Sequence, residues 1–378
     1  MLVLAWLVLI VGIYAFLLTL SNILWMRHLN KLTRKPLAVK PTVSVCIPAR
    51  NEEAVIEKSI RSFLSQSYAP MEILVLDDNS SDRTGEIVDR LSREDGRVRK
   101  ISGRPLPEGW KGKINAEAQL EHAAKGEYIL FTDADTDHGP RSIENGLKKL
   151  LATKSDLVSG YPLQKSKLKV SLVVVVMDFV TMLWIPLAIQ QWLKSPLFAN
   201  AIGQYLLVRH SALVEAGGFE QIRNSICDDM DLAQLLARTG HKQTFCDVKH
   251  DVSCTMYGSF GEALVGIERS IVGVLKGGWG MAVALLPVIA LLLVVVFSPI
   301  LSPIGMVASG YSPWGVVLVT GTYLFWIAFF MISLWHGFRM PLPLLGPIVF
   351  FVLIIMVVHS FIRKERGIGY EWKGRKVS

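Results

Sequence analysis

Three long stretches without a charged residue constrain this chain more than any other feature. They are Met1–Trp25, Met281–Trp335 and Pro341–Phe361. A helix of about 20 apolar residues is long enough to cross a bilayer, and 51% of the 378 residues are hydrophobic. The region between these stretches has mixed charge and the length of one soluble domain. We therefore expect a polar domain attached to membrane-spanning helices.

The net charge of +8 is concentrated beside these apolar stretches. Basic residues follow the first and the last of them: Arg27, Lys31, Arg34, Lys35, Lys40, Arg363, Lys364, Arg366, Lys373, Arg375 and Lys376. Positive charge beside a spanning helix marks the cytoplasmic side. The sequence thus predicts a multi-pass protein of the cell (plasma) membrane with its polar domain in the cytoplasm. No nucleic-acid partner is expected, because a basic stripe with interleaved aromatic residues is missing.

The expected boundaries are an anchor at 1–26, a soluble domain at 41–257, an amphipathic connector at 258–280, membrane helices at 281–362 and a basic tail at 363–378. A cleaved signal peptide is the alternative for the first segment, but no basic residue precedes it. Beyond the soluble domain, three apolar segments are expected at about Met281–Ile300, Gly315–Trp335 and Pro341–Phe361. Basic residues on the same side of the membrane require an even number of crossings, so one segment is re-entrant or the tail breaks the charge rule.

Strand and helix patterns alternate within the soluble domain, which predicts an α/β fold with a mainly parallel sheet covered on both faces. Predicted strands are Val43–Ile47, Ile73–Leu76, Val98–Ser102, Tyr128–Phe131, Leu157–Tyr161 and Gln204–Arg209. Predicted helices include Arg83–Leu91, Ala116–Ala124 and Arg141–Leu151. An apolar insert at 168–193 contains Asp178 and Pro186. We expect it to lie in the membrane interface or over the pocket, with a buried core helix as the alternative.

Two carboxylates follow the predicted strand Tyr128–Phe131, at Asp133 and Asp135. On extended backbone both side chains would point the same way. Paired carboxylates form a hard-oxygen site that suits Mg²⁺ or Mn²⁺, and ligands bind at this end of strands in an open α/β sheet. The alternative is a solvated acidic turn.

A second acidic pair, Asp228-Asp229, opens a predicted helix. Carboxylates in a first helical turn are favoured by the helix dipole, so simple capping is the alternative to a catalytic role. The histidines and cysteines show no metal-ligand spacing, and no nucleophile constellation of Ser, Cys or His is present. The cysteines are expected to be reduced.

With these motifs in order, the chain resembles the family 2 glycosyltransferases, which have the GT-A fold. The resemblance covers about Thr42–Tyr257 and rests on four motifs: Pro48-Ala49-Arg50-Asn51-Glu52, Asp77-Asp78-Asn79-Ser80, Asp133-Ala134-Asp135 and Asp228-Asp229. Two further motifs, Gly109-Trp110-Lys111-Gly112-Lys113 and Glu371-Trp372-Lys373-Gly374-Arg375, are similar to a membrane-bound subgroup. That subgroup contains the carotenoid (diaponeurosporenoate), hopanoid-associated and ceramide glucosyltransferase-like enzymes.

The resemblance implies a nucleotide-sugar donor, with UDP-glucose as the expected one, and a role for each motif position. Nucleotide-sugar contacts would come from Pro48, Arg50, Glu52, Asp77, Asp78, Lys113 and Asp133. The divalent metal, Mg²⁺ or Mn²⁺, would bind Asp135 with Asp133 beside it. Asp229 would be the catalytic base, with its neighbour Asp228 left open for the same role. Candidates near the diphosphate or the acceptor are Trp110, Gln204, Arg269, Trp372 and Arg375.

One base without an enzyme nucleophile predicts a single displacement with inversion at the sugar. The expected acceptor is a membrane lipid or a lipid-like molecule. A polysaccharide synthase is disfavoured, because the Gln-x-x-Arg-Trp motif of processive members is reduced here to Ile267-Glu268-Arg269-Ser270. The other alternative is an inactive membrane scaffold that binds a nucleotide sugar.

Overall fold

The computed structural model describes residues 2–274, 313–337, 345–366, 370–372 and 375–377. The chain divides into two compact units. The sheet unit comprises Trp25–Lys165, Leu187–Met256 and Tyr370–Ser378. The helical unit comprises Met1–Leu24, Ser166–Pro186 and Tyr257–Gly369.

The main sheet of the sheet unit contains strands from the whole length of the soluble domain. Ten strands form a main sheet and a small sheet in this unit. In chain order they are β1 Val43–Ala49, β2 Met71–Asp77, β3 Val98–Ser102, β4 Tyr128–Phe131, β5 Thr136–His138, β6 Leu157–Tyr161, β7 Leu163–Gln164, β8 Leu206–Arg209, β9 Gln243–Asp247 and β10 Val252–Cys254. The main sheet has the order β3-β2-β1-β4-β8-β6-β9, and a small sheet has the order β5-β10-β7. Neighbours in the main sheet are parallel except where β8 pairs with β4 and β6. The predicted mainly parallel α/β sheet is confirmed.

Helices alternate with these strands, as the sequence predicts. They are α1 Leu2–Leu32, α2 Ile56–Leu64, α3 Thr84–Glu94, α4 Gly112–Ala123, α5 Ser142–Thr153, α6 Leu168–Trp184, α7 Leu187–Leu193, α8 His210–Glu215, α9 Asp228–Arg238, α10 Phe260–Val274, α11 Pro313–His336 and α12 Gly346–Glu365. Helix α4 begins four residues before the predicted start at Ala116. That shift puts Lys113 and Glu117 one turn apart on a single helix.

Alternate residues of the central strands enter two separate cores, one on each face of the sheet. Val45 and Ile47 of β1 belong to the core that α2, α3 and α5 cover. Cys46 lies in the other core, which α4, α8 and α9 cover. A parallel sheet buried on both faces needs this continuous run of apolar residues. Because α4 and α9 cover the same face, their first turns can meet beside the sheet.

Among the described residues, two helices are long and apolar enough to cross a membrane, α1 and α11. Helix α12 has a shorter apolar part, Gly346–Ser360. The expected segments Gly315–Trp335 and Pro341–Phe361 coincide with α11 and with most of α12, whereas Met281–Ile300 lies outside the described residues. The number of crossings and their direction stay predictions.

The apolar insert is divided at Pro186 into two helices. Helix α6 belongs to the helical unit, and its side chains Val173, Val175 and Met182 are fully buried. The amide of Asn22 donates to the carbonyl oxygens of Met182 at 3.1 Å and Ile185 at 2.9 Å. Proline ends a helix and leaves carbonyl oxygens without their usual partners, so Asn22 satisfies them at the break.

Helices α1 and α11 approach each other at two glycines, where backbone meets backbone. A Cβ added at Gly12 would lie 2.0 Å from the carbonyl oxygen of Gly321. We expect Gly12→Leu to lower stability by about 1–3 kcal/mol through overpacking, measured as a lower apparent melting temperature in detergent. Val316→Leu on α11 is the control, because Val316 is 50% exposed. An unchanged melting temperature for Gly12→Leu would contradict this packing.

Candidate active site

The first group of polar side chains lies where β1 and β2 end. Arg50 follows β1, and its Nη1 donates to the carbonyl oxygen of Asp78 at 2.6 Å, with the Asp78 carboxylate 4.0 Å away. Asp78 is 2% exposed. The Arg50 guanidinium therefore fixes the loop after β2 against the loop after β1.

Hydrogen bonds between backbone and side chains join these two loops further. The backbone N–H of Asn51 donates to Ser80 Oγ at 3.0 Å, and the N–H of Glu52 donates to Thr84 Oγ1 at 2.8 Å. Asp77 accepts the N–H of Ser80 at 3.0 Å, so its carboxylate shapes the loop. Pro48 lies inside β1, paired with Leu76 of β2.

The Asp133-Ala134-Asp135 segment is a turn instead of the extended chain that the sequence indicates. Its bend is fixed by Thr136, whose N–H and hydroxyl both donate to the carbonyl oxygen of Asp133, at 3.3 and 2.7 Å. The two carboxylates still lie close together. Burial, followed by the charges of Asp133 and Glu52, raises the pKa of Asp135 to about 7.

Lys113 is the cation at the centre of this site. Its Nζ lies 2.9 Å from Asp133 Oδ1, 2.9 Å from Asp228 Oδ2 and 3.8 Å from Glu117 Oε1. Burial opposes the charge of Lys113, but the attraction of Asp133 and Asp228 outweighs it and the lysine pKa is well above its usual value. Lys113 therefore links the carboxylates after β4 with those that open α9.

The two adjacent carboxylates of α9 have different surroundings. Burial favours the neutral form of Asp228, but the attraction of Lys113 and its hydrogen bond are stronger and lower the pKa of Asp228. Among the described residues, no cation forms an ion pair with Asp229. Burial and the neighbouring charge of Asp228 raise its pKa to about 6, against the opposing effect of Lys113.

Three donors orient the carboxylate of Asp229. Its Oδ2 accepts the N–H of Gly203 at 2.9 Å, and its Oδ1 accepts the N–H of Met230 at 2.7 Å and the thiol of Cys227 at 3.4 Å. A carboxylate at a helix start usually caps its own helix. Here one oxygen is turned instead towards the segment that precedes β8.

That segment brings the separate motifs together at Gly203-Gln204. A Cβ at Gly203 would lie 3.3 Å from Lys113 Nζ and 3.6 Å from both Asp133 Oδ2 and Asp229 Oδ2. The Gln204 amide donates to Asp133 Oδ2 at 3.1 Å. Lys113 and Gly203 thus bring the carboxylate of Asp133 together with those that open α9, around one space that we call the hollow. Burial and the charges of Asp133 and Glu52 act on Asp135 beside it.

The remaining predicted site residues are Trp110, Arg269, Trp372 and Arg375. Trp110 is partly buried and packs against the core beneath α4 and α9. Arg269 lies on α10 of the helical unit. Trp372 and Arg375 pair in a short hairpin, β11 Tyr370–Trp372 and β12 Arg375–Val377, which belongs to the sheet unit. The structure describes the backbone of Trp372 and Arg375 but not the contacts of their side chains.

Sequence reasoning missed Glu117, Gly203 and Cys227. The spacing of Lys113 and Glu117, four residues apart, is a helical pairing signal, but the predicted helix began too late to use it. Gly203 carries no local signal, because it acts on Asp229 through a contact between distant segments. Cys227 lies only two residues before Asp229, but a cysteine at that position predicts no contact with the carboxylate.

Comparisons with known proteins bear on the fold of the chain. Residues 44–175 match the family model for glycosyl transferase family 2. A solved structure, the mannosyltransferase PcManGT from Pyrobaculum calidifontis in complex with GDP-Man and Mn²⁺, is similar over 94% of this chain and 99% of that one. Its TM-score is 0.53 at 18% identity, so the likeness concerns the fold. The GT-A fold is confirmed.

Two curated relatives act on lipid-linked or lipid molecules according to their names. GalNAc(5)-diNAcBac-PP-undecaprenol beta-1,3-glucosyltransferase of Campylobacter jejuni is 35% identical over 97 residues, which are 26% of this chain and 30% of the relative. Beta-monoglucosyldiacylglycerol synthase of Trichormus variabilis is 32% identical over 129 residues, 32% of this chain and 27% of the relative. The chain thus matches less than a third of the length of either relative.

Proposed function

We propose, on the premise that residues 44–175 form a glycosyltransferase family 2 domain, that this protein transfers a hexose from a nucleotide sugar to a membrane lipid-type acceptor. UDP-glucose is the donor that we favour. The observation that carries the proposal is the unequal environment of Asp228 and Asp229 beside Lys113. Asp228 forms an ion pair with Lys113, whereas Asp229 has a pKa of about 6 and is oriented by the N–H of Gly203.

This difference supports Asp229 as the base. A general base must be ionised near neutral pH and still hold a proton well enough to remove it from a hydroxyl. Asp229 meets both conditions, whereas the ion pair with Lys113 makes Asp228 a weaker base. Asp229 would take the proton of the acceptor hydroxyl as that oxygen attacks the sugar, which gives a single displacement with inversion.

Donor binding falls to the loops after β1, β2 and β4. Arg50 holds the buried Asp78 in place, and these side chains with Glu52 form the nucleotide end of the hollow. Lys113 supplies positive charge beside Asp133, where a departing diphosphate accumulates negative charge. From the sequence alone, we also propose that Arg269 or Arg375 adds positive charge near the diphosphate.

The residues after β4 fit a divalent cation. Among the described residues, no hydrogen-bond donor reaches Asp135 Oδ1, which is buried. A buried carboxylate without donors is costly unless a cation compensates it, and carboxylate oxygens are the ligands that Mg²⁺ and Mn²⁺ prefer. Asp135, with Asp133 beside it, would hold the ion, which would neutralise charge on the leaving diphosphate.

A membrane acceptor is supported by the candidate spanning helices and by exposed apolar side chains of the sheet unit. Around α7 and the turn after it, Trp192 is 67% exposed and Leu197 is 65% exposed. Such side chains, next to Lys194, suit the bilayer interface. We therefore propose that the 168–193 insert contacts the membrane through α7, and that the sheet unit faces the cytoplasmic leaflet.

The test of the function is release of UDP from UDP-glucose by the purified full chain, with and without a chelator. Lipid extracts from cells with and without the expressed protein are compared by mass spectrometry to find the glycosylated acceptor. If the protein binds nucleotide sugars but releases no nucleoside diphosphate from any of a panel of donors, and no new glycolipid is found, the inactive membrane scaffold is favoured.

Gly203 offers a test of the shared hollow. We expect Gly203→Val to raise the donor dissociation constant by about tenfold or more, because its side chain would overlap the space between Lys113, Asp133 and Asp229. Calorimetric titration measures this, and Gly96→Val is the control because a Cβ there meets nothing within 4 Å. Wild-type donor affinity in Gly203→Val would show that the hollow is not the donor site.

A further inference from the structure

Glu117 is a buried carboxyl group that the proposed reaction does not use. It lies on α4 one turn after Lys113, and its side chain is 3% exposed. Lys113 Nζ is 3.8 Å from Glu117 Oε1, beyond hydrogen-bond distance, while the same nitrogen is 2.9 Å from Asp133 and from Asp228. Lys113 therefore has two carboxylate partners that are closer than Glu117.

Glu117 Oε1 and Asp228 Oδ2 both approach Lys113 Nζ, at 3.8 and 2.9 Å, so the two carboxyl groups are neighbours. A hydrogen bond between them raises the pKa of Glu117 and lowers the pKa of Asp228. Two ionised carboxylates have no proton to share, so one member of such a pair must be the donor. Among the described residues, no N–H or O–H group donates to Glu117 Oε2. A proton on Glu117 would turn this oxygen into a donor and satisfy the buried pair.

The charges around the two groups decide which of them holds the proton. Burial is the largest effect on Glu117 and raises its pKa, and the charge of Asp228 raises it further, against the attraction of Lys113. Asp228 has the closer contact with Lys113, and its pKa is lowered. The charge of Asp133 also acts on Glu117 and favours its neutral form.

We propose that Glu117 is a neutral carboxylic acid that donates a hydrogen bond to Asp228 and so fixes Asp228 against Lys113. Its role is positioning, and this inference rests on the proposed function. Because Glu117 is uncharged, it orders the ion pair without adding a negative charge next to the place where a diphosphate binds. Lys113 then keeps its orientation towards the donor when the hollow is empty.

The test compares a variant that keeps the donor with one that removes it. Glu117→Gln has a neutral N–H donor in place of the O–H, and Glu117→Met has a similar length without one. Loss of a hydrogen bond to a charged group changes an equilibrium constant by about 10- to 100-fold. We therefore expect the donor KM of Glu117→Met to rise by this factor. Glu117→Gln should stay within about threefold of wild type.

Glu121→Gln is the matched control. Glu121 lies one further turn along α4, is 7% exposed and accepts the N–H of Phe219 at 3.2 Å, so it is buried but not part of the ion pair. We expect an unchanged donor KM for this variant, even if its stability falls. A general effect of disturbing α4 would appear in both positions.

Infrared spectroscopy reads the proton directly and does not depend on turnover. The difference spectrum of wild type minus Glu117→Gln should contain the carbonyl band of a protonated carboxylic acid at neutral pH. Carboxylate bands in its place, or a Glu117→Gln variant as impaired as Glu117→Met, would overturn the proposal. Neither result would affect UDP release by wild type or the role of Asp229, so the two proposals fail separately.

Discussion

The Asp229→Asn variant is expected to lose transfer by about 10²- to 10⁴-fold, the usual contribution of a general base. An amide of the same size can still accept the N–H of Met230, so the helix start and the donor site should persist. Donor dissociation constants should therefore stay close to wild type. Transfer is measured as UDP release, and donor binding by calorimetry.

The pH dependence of the reaction reports on the same group. Because the pKa of Asp229 is raised to about 6, its carboxylate is ionised at pH 7.5 and gains a proton as the pH falls below 6. We expect kcat/KM to fall about tenfold per pH unit on the acid side of this value, and Asp229→Asn to lose that limb.

Asp231→Asn is the control for this prediction. Asp231 lies in the first turn of the same helix, and its carboxylate accepts the hydroxyl of Ser225 instead of facing the hollow. Its substitution should change stability more than transfer. A fully active Asp229→Asn variant, or an acid limb near pH 6 that survives in it at saturating Mn²⁺, would remove the base assignment.

The second large effect is expected from loss of the metal ligand. Asp135→Asn, or a chelator added to wild type, should lower transfer by about 10³-fold, because a divalent ion contributes several kcal/mol of charge stabilisation. Mn²⁺ affinity provides a readout besides activity, and it should be lost in Asp135→Asn. Electron paramagnetic resonance measures the free ion.

Metal affinity should also depend on pH, with a sign that follows from the carboxyl group. Asp135 must lose its proton to bind a cation, and its pKa is about 7 when the ion is absent. Mn²⁺ affinity should therefore fall by about tenfold per pH unit below 7. Asp137→Asn is the control, since Asp137 is partly exposed and pairs with Lys58 at 2.9 Å. Wild-type Mn²⁺ affinity in Asp135→Asn would refute the assignment.

The sequence was sufficient for those features that depend on local pattern. Alternating strand and helix patterns predicted the mainly parallel sheet, and the strand Val98–Ser102 has the predicted bounds. The helix that begins at Asp228 was predicted as well. Two local expectations changed: α4 begins at Gly112, and Asp133–Asp135 bends, because Thr136 holds the Asp133 carbonyl group in a turn.

Local pattern by itself determined that acidic side chains follow β1, β2 and β4 and open α9, since strand ends and helix starts are written in neighbouring residues. Tertiary structure alone decided how Asp228 and Asp229 differ. Their difference depends on Lys113 and Gly203, which are distant in the chain and reach them because α4 and α9 cover the same face of the sheet. The pKa of a carboxyl group depends on the charges and hydrogen-bond donors that surround it in space, and the spacing of residues in the sequence does not reveal them.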